Sequence, residues 1–203
     1  MRLVLDWDGT CTEVDSLHMV LEEFGDPAAY ARVEGELGRS LTLHEVIALE
    51  FETVTAPLDE VVAWLLERVR VRAGFAELVA ARAPLILSSG FHELIEPVLA
   101  REGVHVELRA NRVEARPDGW RVLFADETVC AVCGEACKRA SLPPGELAYA
   151  GDGYSDRCAA RAASRVFARD GLARQLEAEG VPFEPFADLH DVLRADDMRV
   201  AGR

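Results

Sequence analysis

The sequence is almost without lysine, asparagine and glutamine. Lys138, Asn111 and Gln175 are the sole examples of each among 203 residues, and arginine carries the rest of the basic charge. A lysine that survives such a replacement is expected where a compact ammonium serves and a planar guanidinium does not. Basic charge is scarce overall. The formal net charge is −14, which argues against nucleic acid or an anionic membrane surface as a partner. Long apolar runs are missing too. Nothing approaches the roughly eighteen apolar residues of a membrane span, and the opening run Leu3-Val4-Leu5 is too short for a secretory signal. Cysteines number five, an odd count that fits reduced thiols in a cytoplasm better than a disulfide framework. What remains is the mix of a globular chain with a sizeable core, 50% hydrophobic and 29% charged. The expectation is a cytoplasmic protein.

The opening stretch MRLVLDWDGTCTEVDS places Asp6 and Asp8 directly after a short apolar run and follows them with Gly9 and Thr10. LVLDWD reads as a buried strand that stops at a turn signal. From Asp15 the pattern turns helical, with Leu17, Val20, Leu21 and Phe24 at helical spacing. A second helix is predicted from Pro27 to about Leu37. Thr42 and Glu45 open a third in capping-box spacing, and LDEVVAWLLERVRV and GFAELVAARA follow the breaks at Ala56-Pro57 and Gly74. Alternation resumes at Pro84: LILSS a strand, FHELIEPVLAREG a helix open to a kink or shortening at Pro97, HVEL a strand, then NRVEAR and WRVLFA a hairpin around Pro117-Asp118-Gly119. GEACKRASL and SDRCAARAA read as helices, LAYAGD and RVFA as strands, GLARQLEAEG and FADLHDVLR as closing helices.

Strands alternating with helices predict an α/β fold, a Rossmann-like core with a parallel sheet covered on both faces. Residues 1–14 and 84–203 make that core. Residues 15–83 make a small helical cap inserted after strand 1, and the hairpin is an addition at the sheet. In such sheets ligands bind beyond the carboxyl ends of the strands, and Asp6, Ser88 and Asp152 each fall at such an end.

These residues suit one chemistry. An acid closing strand 1 can attack an electrophile held at the sheet edge, and a second acid two residues on can give or take a proton. Ser88 offers a hydroxyl, and the N–H groups of Ser89 and Gly90 lead toward a helix, a phosphate-binding arrangement. Lys138 can neutralise a carboxylate or a phosphate as a point charge. Asp152 and Asp156, on the glycine-flanked turn GDGYSD, are hard oxygen ligands suited to Mg²⁺; Mn²⁺ would suit them too.

Four motifs in order, DWDGT, the serine of LILSSG, the lysine of CGEACKRA and GDGYSD, resemble the phosphatase branch of the haloacid dehalogenase superfamily. The resemblance implies that Asp6 is a nucleophile forming an aspartyl-phosphate, and that Asp8 protonates the leaving oxygen and then activates water. It implies Mg²⁺ held by Asp6, the backbone carbonyl of Asp8 and Asp152, with Asp156 supporting that metal site, and a phosphoryl group gripped by Ser88 and Lys138. The substrate would be a small phosphorylated metabolite.

The helical cap, SSGF and Ala110-Asn111-Arg112 before the hairpin further resemble the phosphoserine phosphatase-like subfamily, over nearly the whole chain. Phosphoserine phosphatases usually carry a glutamate nine residues after the nucleophile and an arginine in the third cap helix. Here stand Asp15 and LHEVIALEFETV, which has no arginine. CGEACK and the tail SRVFARDGLARQLEAEGVPFEPFADL look more like the methionine-salvage phosphatases, which act on a small keto-enol sugar phosphate. Their usual CGxCKP is not matched residue for residue, since one residue is inserted and Arg139 stands in place of proline. Asp15 and Arg39 are candidates for selecting substrate, or for a solvated helix face. The amphipathic cap helices leave a homodimer open.

Cys130, Cys133 and Cys137 supply three thiolates in C-x₂-C-x₃-C spacing, where a structural zinc site wants four ligands. Cys11, Cys158 or a histidine would have to complete it, and ordinary thiols are the simpler expectation. The rival functions are a phosphotransferase, a phosphate-accepting Mg²⁺ module without turnover, and a structural zinc protein.

Overall fold

The computed structural model describes residues 1–200, and the side chains of residues 1–195. The chain runs β1 (Arg2–Leu5), α1 (Ser16–Phe24), α2 (Pro27–Glu34), α3 (Leu43–Phe51), α4 (Leu58–Arg68), α5 (Phe75–Arg82), β2 (Leu85–Phe91), α6 (His92–Arg101), β3 (Glu107–Glu114) and β4 (Arg121–Leu123). It continues with β5 (Leu147–Gly151), α7 (Arg157–Ala160), β6 (Arg165–Ala168), α8 (Asp170–Ala178), β7 (Glu184–Pro185) and α9 (Leu189–Val200). One seven-stranded sheet has the order β4-β3-β2-β1-β5-β6-β7. Every pairing is parallel except β3 with β4, the expected hairpin.

Side-chain alternation divides each central strand between two cores. Leu3 and Leu5 of β1, Ile86 of β2 and Ala148 and Ala150 of β5 belong to one cluster. Val4, Leu85, Leu87, Leu147 and Tyr149 belong to the other, which α8 covers with Leu172 and Leu176. The first cluster continues into the helical insertion through Val20, Leu21, Ile47, Phe51, Val61 and Leu65. Phe51, fully buried, meets Phe91 edge-on at 4.7 Å between ring centroids and stacks on Trp120 at 6.1 Å. Trp120 donates its indole N–H to the Ala56 carbonyl at 2.9 Å, so the insertion is packed against both a core strand and the hairpin turn.

The helices of the insertion start where their caps dictate. Asp15 accepts from the N–H groups of Leu17 and His18, and Asp26 from those of Ala28 and Ala29 with Pro27 in the first turn. Thr42 and Glu45 form the expected capping box. The crossover from β1 to β2 closes through α5, which packs on α9, and the Leu189 N–H donates to the Ala73 carbonyl at 2.9 Å.

Pro97 sits inside α6 without ending it. Three local expectations change. HVEL and NRVEAR join in one continuous strand, β3. The strand begun by LILSS runs on to Phe91 as β2, so Ser88 lies within it and not at its end. GEACKRASL forms no α-helix: a bridge between Val129 and Ala136 and a positive φ at Gly134 fold its start into a tight loop. Only a 3₁₀ turn over Lys138–Ser141 remains, stopped by Pro143-Pro144.

Candidate active site

The site lies at the carboxyl ends of β1, β2 and β5. Asp6 follows β1, and its N–H donates to the Ala150 carbonyl at 2.9 Å, which extends the pairing with β5 by one step. The chain then turns sharply: Cys11 N–H and Thr12 N–H both donate to the Trp7 carbonyl, at 2.8 and 3.0 Å. Gly9 adopts φ +73°, and a Cβ there would collide with the Asp152 carboxylate. Thr10 donates its hydroxyl to Asp152 at 2.9 Å, joining the first motif to the last.

Asp6 is buried, and Lys138, also buried, donates to both Asp6 and Asp156, the latter at 2.7 Å. Both oxygens of fully buried Asp156 are engaged by protein donors. One accepts from Lys138 and from the Tyr149 hydroxyl at 2.7 Å, the other from the N–H groups of Asp152 and Gly153 at 2.9 and 3.1 Å. Burial opposes the charge on Lys138, but Asp156 and Asp6 outweigh it, so its pKa is raised. Burial, then the charge of Asp156, holds the Asp6 carboxyl above the usual carboxylate range in spite of Lys138. The same two causes push Asp152 up to about 6.

Asp8 is partly exposed at the floor of the cavity. It accepts from the Ser16 N–H at 3.0 Å and from the Ser16 hydroxyl. Burial, followed by the charge of Asp15, raises it to about 7. The Ser88 hydroxyl lies 3.4 Å from the other Asp8 oxygen and accepts from the Gly90 N–H at 2.8 Å. That N–H is thereby turned inward on Ser88. Ser88 to Gly90 fall where the β2–β3 register breaks, between Leu87 and Phe91. The Ser89 carbonyl is fixed there by Asn111, whose Nδ2 donates to it at 2.8 Å.

A cavity of about 310 Å³ opens above Asp6, Asp8, Ser89 and Asp152. The insertion roofs it with Leu17, Leu21, Leu43, Val46, Ile47 and Phe51, together with Asp15, His18, Glu34 and Glu50. No arginine or lysine is among these described lining residues. Glu50 is buried and its Oε1 has no hydrogen-bond partner among the described residues. Burial, then Glu34 and Asp15, raises Glu50 to about 8. Of the two substrate-selecting candidates, Asp15 lines the cavity while capping α1. Arg39 is exposed and lines a separate outer cleft of about 460 Å³ beside Cys133 and Tyr154.

The donor set fits a hard divalent cation. One oxygen each of Asp6, Asp152 and Asp156 lie within 4.8 Å of one another, and four acids, with Asp8, share one lysine. Such crowding of carboxylates calls for a further positive charge, and oxygen-only donors of this kind select Mg²⁺ or Mn²⁺ over softer metals.

Two supports escape a reading of the sequence. Arg72 lies beneath the turn after β1 and donates to the carbonyls of Thr10 and Gly9, each at 2.8 Å, and of Thr12 at 2.9 Å. Tyr149 backs Asp156. Arg72 follows a helix with no motif around it, and Tyr149 reads as one more core residue of a strand; only the turn's buried carbonyls and the acid behind Lys138 reveal their purpose.

Residues 3–161 match the model of the haloacid dehalogenase-like hydrolases, and the chain belongs to that family. Curated relatives span nearly its whole length. A Geobacillus kaustophilus protein is 28% identical over 206 residues, covering 95% of this chain and 94% of its own, and a Bacillus anthracis protein is 24% identical over 205 residues at 95% and 94%. Both are named 2-hydroxy-3-keto-5-methylthiopentenyl-1-phosphate phosphatase. Among solved structures, a substrate-bound phosphoserine phosphatase superposes with a TM-score of 0.71 at 15% identity, over 96% of this chain and 97% of that one. A phospho-aspartyl intermediate analogue of phosphoserine phosphatase gives 0.70 at 16%, over 96% and 98%. These share the α/β fold. Family and relatives together make the protein an enzyme of the phosphatase class. No helix among the described residues is long and apolar enough to cross a membrane.

Proposed function

We propose that the protein is a Mg²⁺-dependent phosphomonoesterase that works through an aspartyl-phosphate on Asp6. Its substrate is 2-hydroxy-3-keto-5-methylthiopentenyl-1-phosphate or an ester of closely similar chemistry. The observation that carries the reaction is the convergence of Asp6, Asp8, Lys138 and Ser88 beneath one cavity. Asp6 attacks phosphorus while Asp8 passes a proton to the departing oxygen. Asp8, now a carboxylate, takes a proton from the water that cleaves the acyl phosphate. An acid raised to about 7 can serve in both directions near neutral pH. Lys138, anchored by Asp156, neutralises charge beside the nucleophile, and Ser88 and Ser89 receive the phosphoryl oxygens along with backbone N–H groups of that segment. Asp6, Asp152 and the Asp8 carbonyl would hold the Mg²⁺, backed by Asp156, and the ion would supply charge stabilisation to the phosphoryl group.

The substrate reading rests on the roof of the cavity. Within the insertion of residues 15–83, α1–α4 serve as the lid. Their apolar side chains suit an uncharged carbon or thioether tail, and their acids suit hydroxyl or keto-enol groups. Phosphoserine presents a carboxylate, and among the described residues no arginine or lysine lines the cavity to take it. The names of the full-length relatives support the same choice.

The test is phosphate release from a panel of esters that includes phosphoserine and the methionine-salvage enol phosphate, without any acceptor, with Mg²⁺ and with EDTA. The enol phosphate is expected to have the highest kcat/KM, lost in EDTA. A preference for phosphoserine would overturn the substrate, and phosphate transfer without release would overturn hydrolysis.

A further inference from the structure

Three cysteines at C-x₂-C-x₃-C spacing leave a tetrahedral site one ligand short, and folding supplies the fourth. Cys158, at the start of α7, is brought to Cys130, Cys133 and Cys137, and the four sulfurs lie within 4.8 Å of one another. We propose that these four cysteines form a structural zinc site that ties the segment bearing Lys138 to the segment bearing Asp156.

The distances suit a tetrathiolate. Zinc–sulfur bonds of about 2.3 Å in a tetrahedron place sulfurs about 3.8 Å apart. Cys130 and Cys158 are separated by 3.8 Å and Cys133 and Cys137 by 3.4 Å. None of the five cysteines is in a disulfide. The local backbone is shaped for ligation as well. Gly134 N–H donates to the Cys130 carbonyl at 2.8 Å in a turn that needs φ +80° at the glycine. The Val132 N–H points at the Cys130 sulfur, 3.4 Å away, an orientation that favours a thiolate there.

A second observation is independent of the sulfurs. From Arg121 to Cys137 not one side chain is buried, and Val129 and Val132 are 67% and 61% exposed. Val122 packs on the core and Phe124 stacks on His44. Beyond Phe124 hydrophobic burial does not hold this segment in place, yet it ends on Lys138, one of the buried charges of the molecule. Cys137 immediately precedes Lys138, and Cys158 follows Asp156 by two residues. A metal bound to both would fix the two partners of the Lys138–Asp156 pair from outside the core, as structural zinc does in small units lacking a core of their own. Cys133, Cys137 and Cys158 open on a cleft lined by Arg39, Arg157 and Arg161 and by one acid, Glu135. Arg157 and Arg161 are paired with Glu135 and Glu179, and the excess of arginine suits a doubly negative zinc tetrathiolate. Soft sulfur here and hard oxygen at Asp6 and Asp152 would sort two different metals.

The full chain, purified under reductant without added zinc, provides the test. Elemental analysis should find about one zinc per chain, kept through dialysis against EDTA that removes Mg²⁺, and released when a mercurial blocks the thiols. Cobalt(II) added to the stripped protein should produce the intense thiolate-to-metal charge-transfer band and the visible bands of a tetrahedral site. Cys133→Ser, at the most exposed ligand, should lose that charge-transfer intensity, and Cys11→Ser, outside the cluster, should keep it. Reloading zinc should raise the melting temperature of the stripped protein. Metal-free protein whose four thiols react freely with a disulfide reagent in the native state would overturn the proposal, as would an octahedral cobalt spectrum or iron in place of zinc. Each of these readouts is taken without phosphate release, so failure of the zinc site is distinguishable from failure of the phosphatase reading.

Discussion

Lys138 and Asp156 form a buried pair, Nζ 2.7 Å from Oδ1, and every other polar contact of the Asp156 carboxylate is to a group of β5 or the turn that follows it. The pair thus joins the segment after the hairpin to the end of β5 and sets where the lysine meets Asp6. Asp156→Asn leaves Lys138 its other carboxylate, Asp6, but puts an amide N–H₂ among buried donors that need an acceptor, each left unsatisfied at about 1–3 kcal/mol. Asp156→Asn should lose stability of that order in urea denaturation and turn over slowly even where it remains folded. Lys138→Arg should not restore activity, because a guanidinium does not fit a site sized for an ammonium. An Asp156→Asn protein as stable and as active as wild type would remove the pair from the account.

Arg72 holds the turn that carries Asp6 and Asp8 through carbonyls alone. Arg72→Met strips donors from Gly9, Thr10 and Thr12, each orphaned buried acceptor costing about 1–3 kcal/mol. Chemical denaturation should show a loss of at least about 3 kcal/mol by that reckoning. Steady-state kinetics should show kcat falling further than KM rises, since the turn positions reacting groups rather than the substrate's tail. Unchanged kcat in a folded variant would contradict this.

The proton role of Asp8 is separable by leaving group. Asp8→Asn should cut kcat for an alkyl phosphate by about 10²–10⁴-fold. An activated aryl ester, whose phenolate leaves without a proton, should still phosphorylate Asp6 and then stall, because no base remains to activate water. A burst of phenolate followed by a slow steady rate is the expected trace. Equal loss on both esters, without a burst, would count against general acid catalysis.

Glu50 makes a prediction about stability and pH. Its folded pKa, about 8, lies above the value of an unfolded glutamate, so between roughly pH 4.5 and 8 the folded protein retains a proton that the unfolded chain gives up. Stability contributed by this group is present below that window and falls as pH rises through it, by up to about 1.4 kcal/mol per pH unit. The carboxylates of Glu34 and Asp15 and the Tyr30 ring surround it, and none supplies a positive charge. Glu50→Gln should flatten that slope in melting curves taken across the window and stabilise the protein at pH 8. A wild-type slope retained by the variant would assign the dependence to another group.

The core of this reading was visible in the residues themselves. Asp6 and Asp152 could be assigned to strand ends because apolar runs stopping at a turn signal mark those ends, whereas Ser88 lies within β2, which runs on to Phe91. The capping-box spacing of Thr42 and Glu45 announced α3. Arg72 and Tyr149 could not be found that way, since their partners are carbonyls and a carboxylate distant in sequence. Cys158 is the sharpest case. Spacing groups Cys130, Cys133 and Cys137 and leaves Cys158 one candidate beside Cys11 and the histidines, a choice that only the packing of α7 against the loop makes. The helix expected at GEACKRASL failed for the opposite reason, because propensity spoke for a helix and a glycine at positive φ with a strand-like bridge overruled it.

The central claim is that phosphate passes through Asp6, and the most direct measurement captures it there. Protein mixed with an activated aryl phosphate and Mg²⁺, quenched in acid and reduced with borohydride, is digested and its peptides are weighed. An acyl phosphate on Asp6 is reduced to homoserine, and the account predicts homoserine at position 6 only when ester was present, in greatest amount in Asp8→Asn and absent from Asp6→Asn. Phosphate released by a protein whose position 6 stays aspartate under these conditions, or a modified carboxylate elsewhere in the chain, would contradict the account.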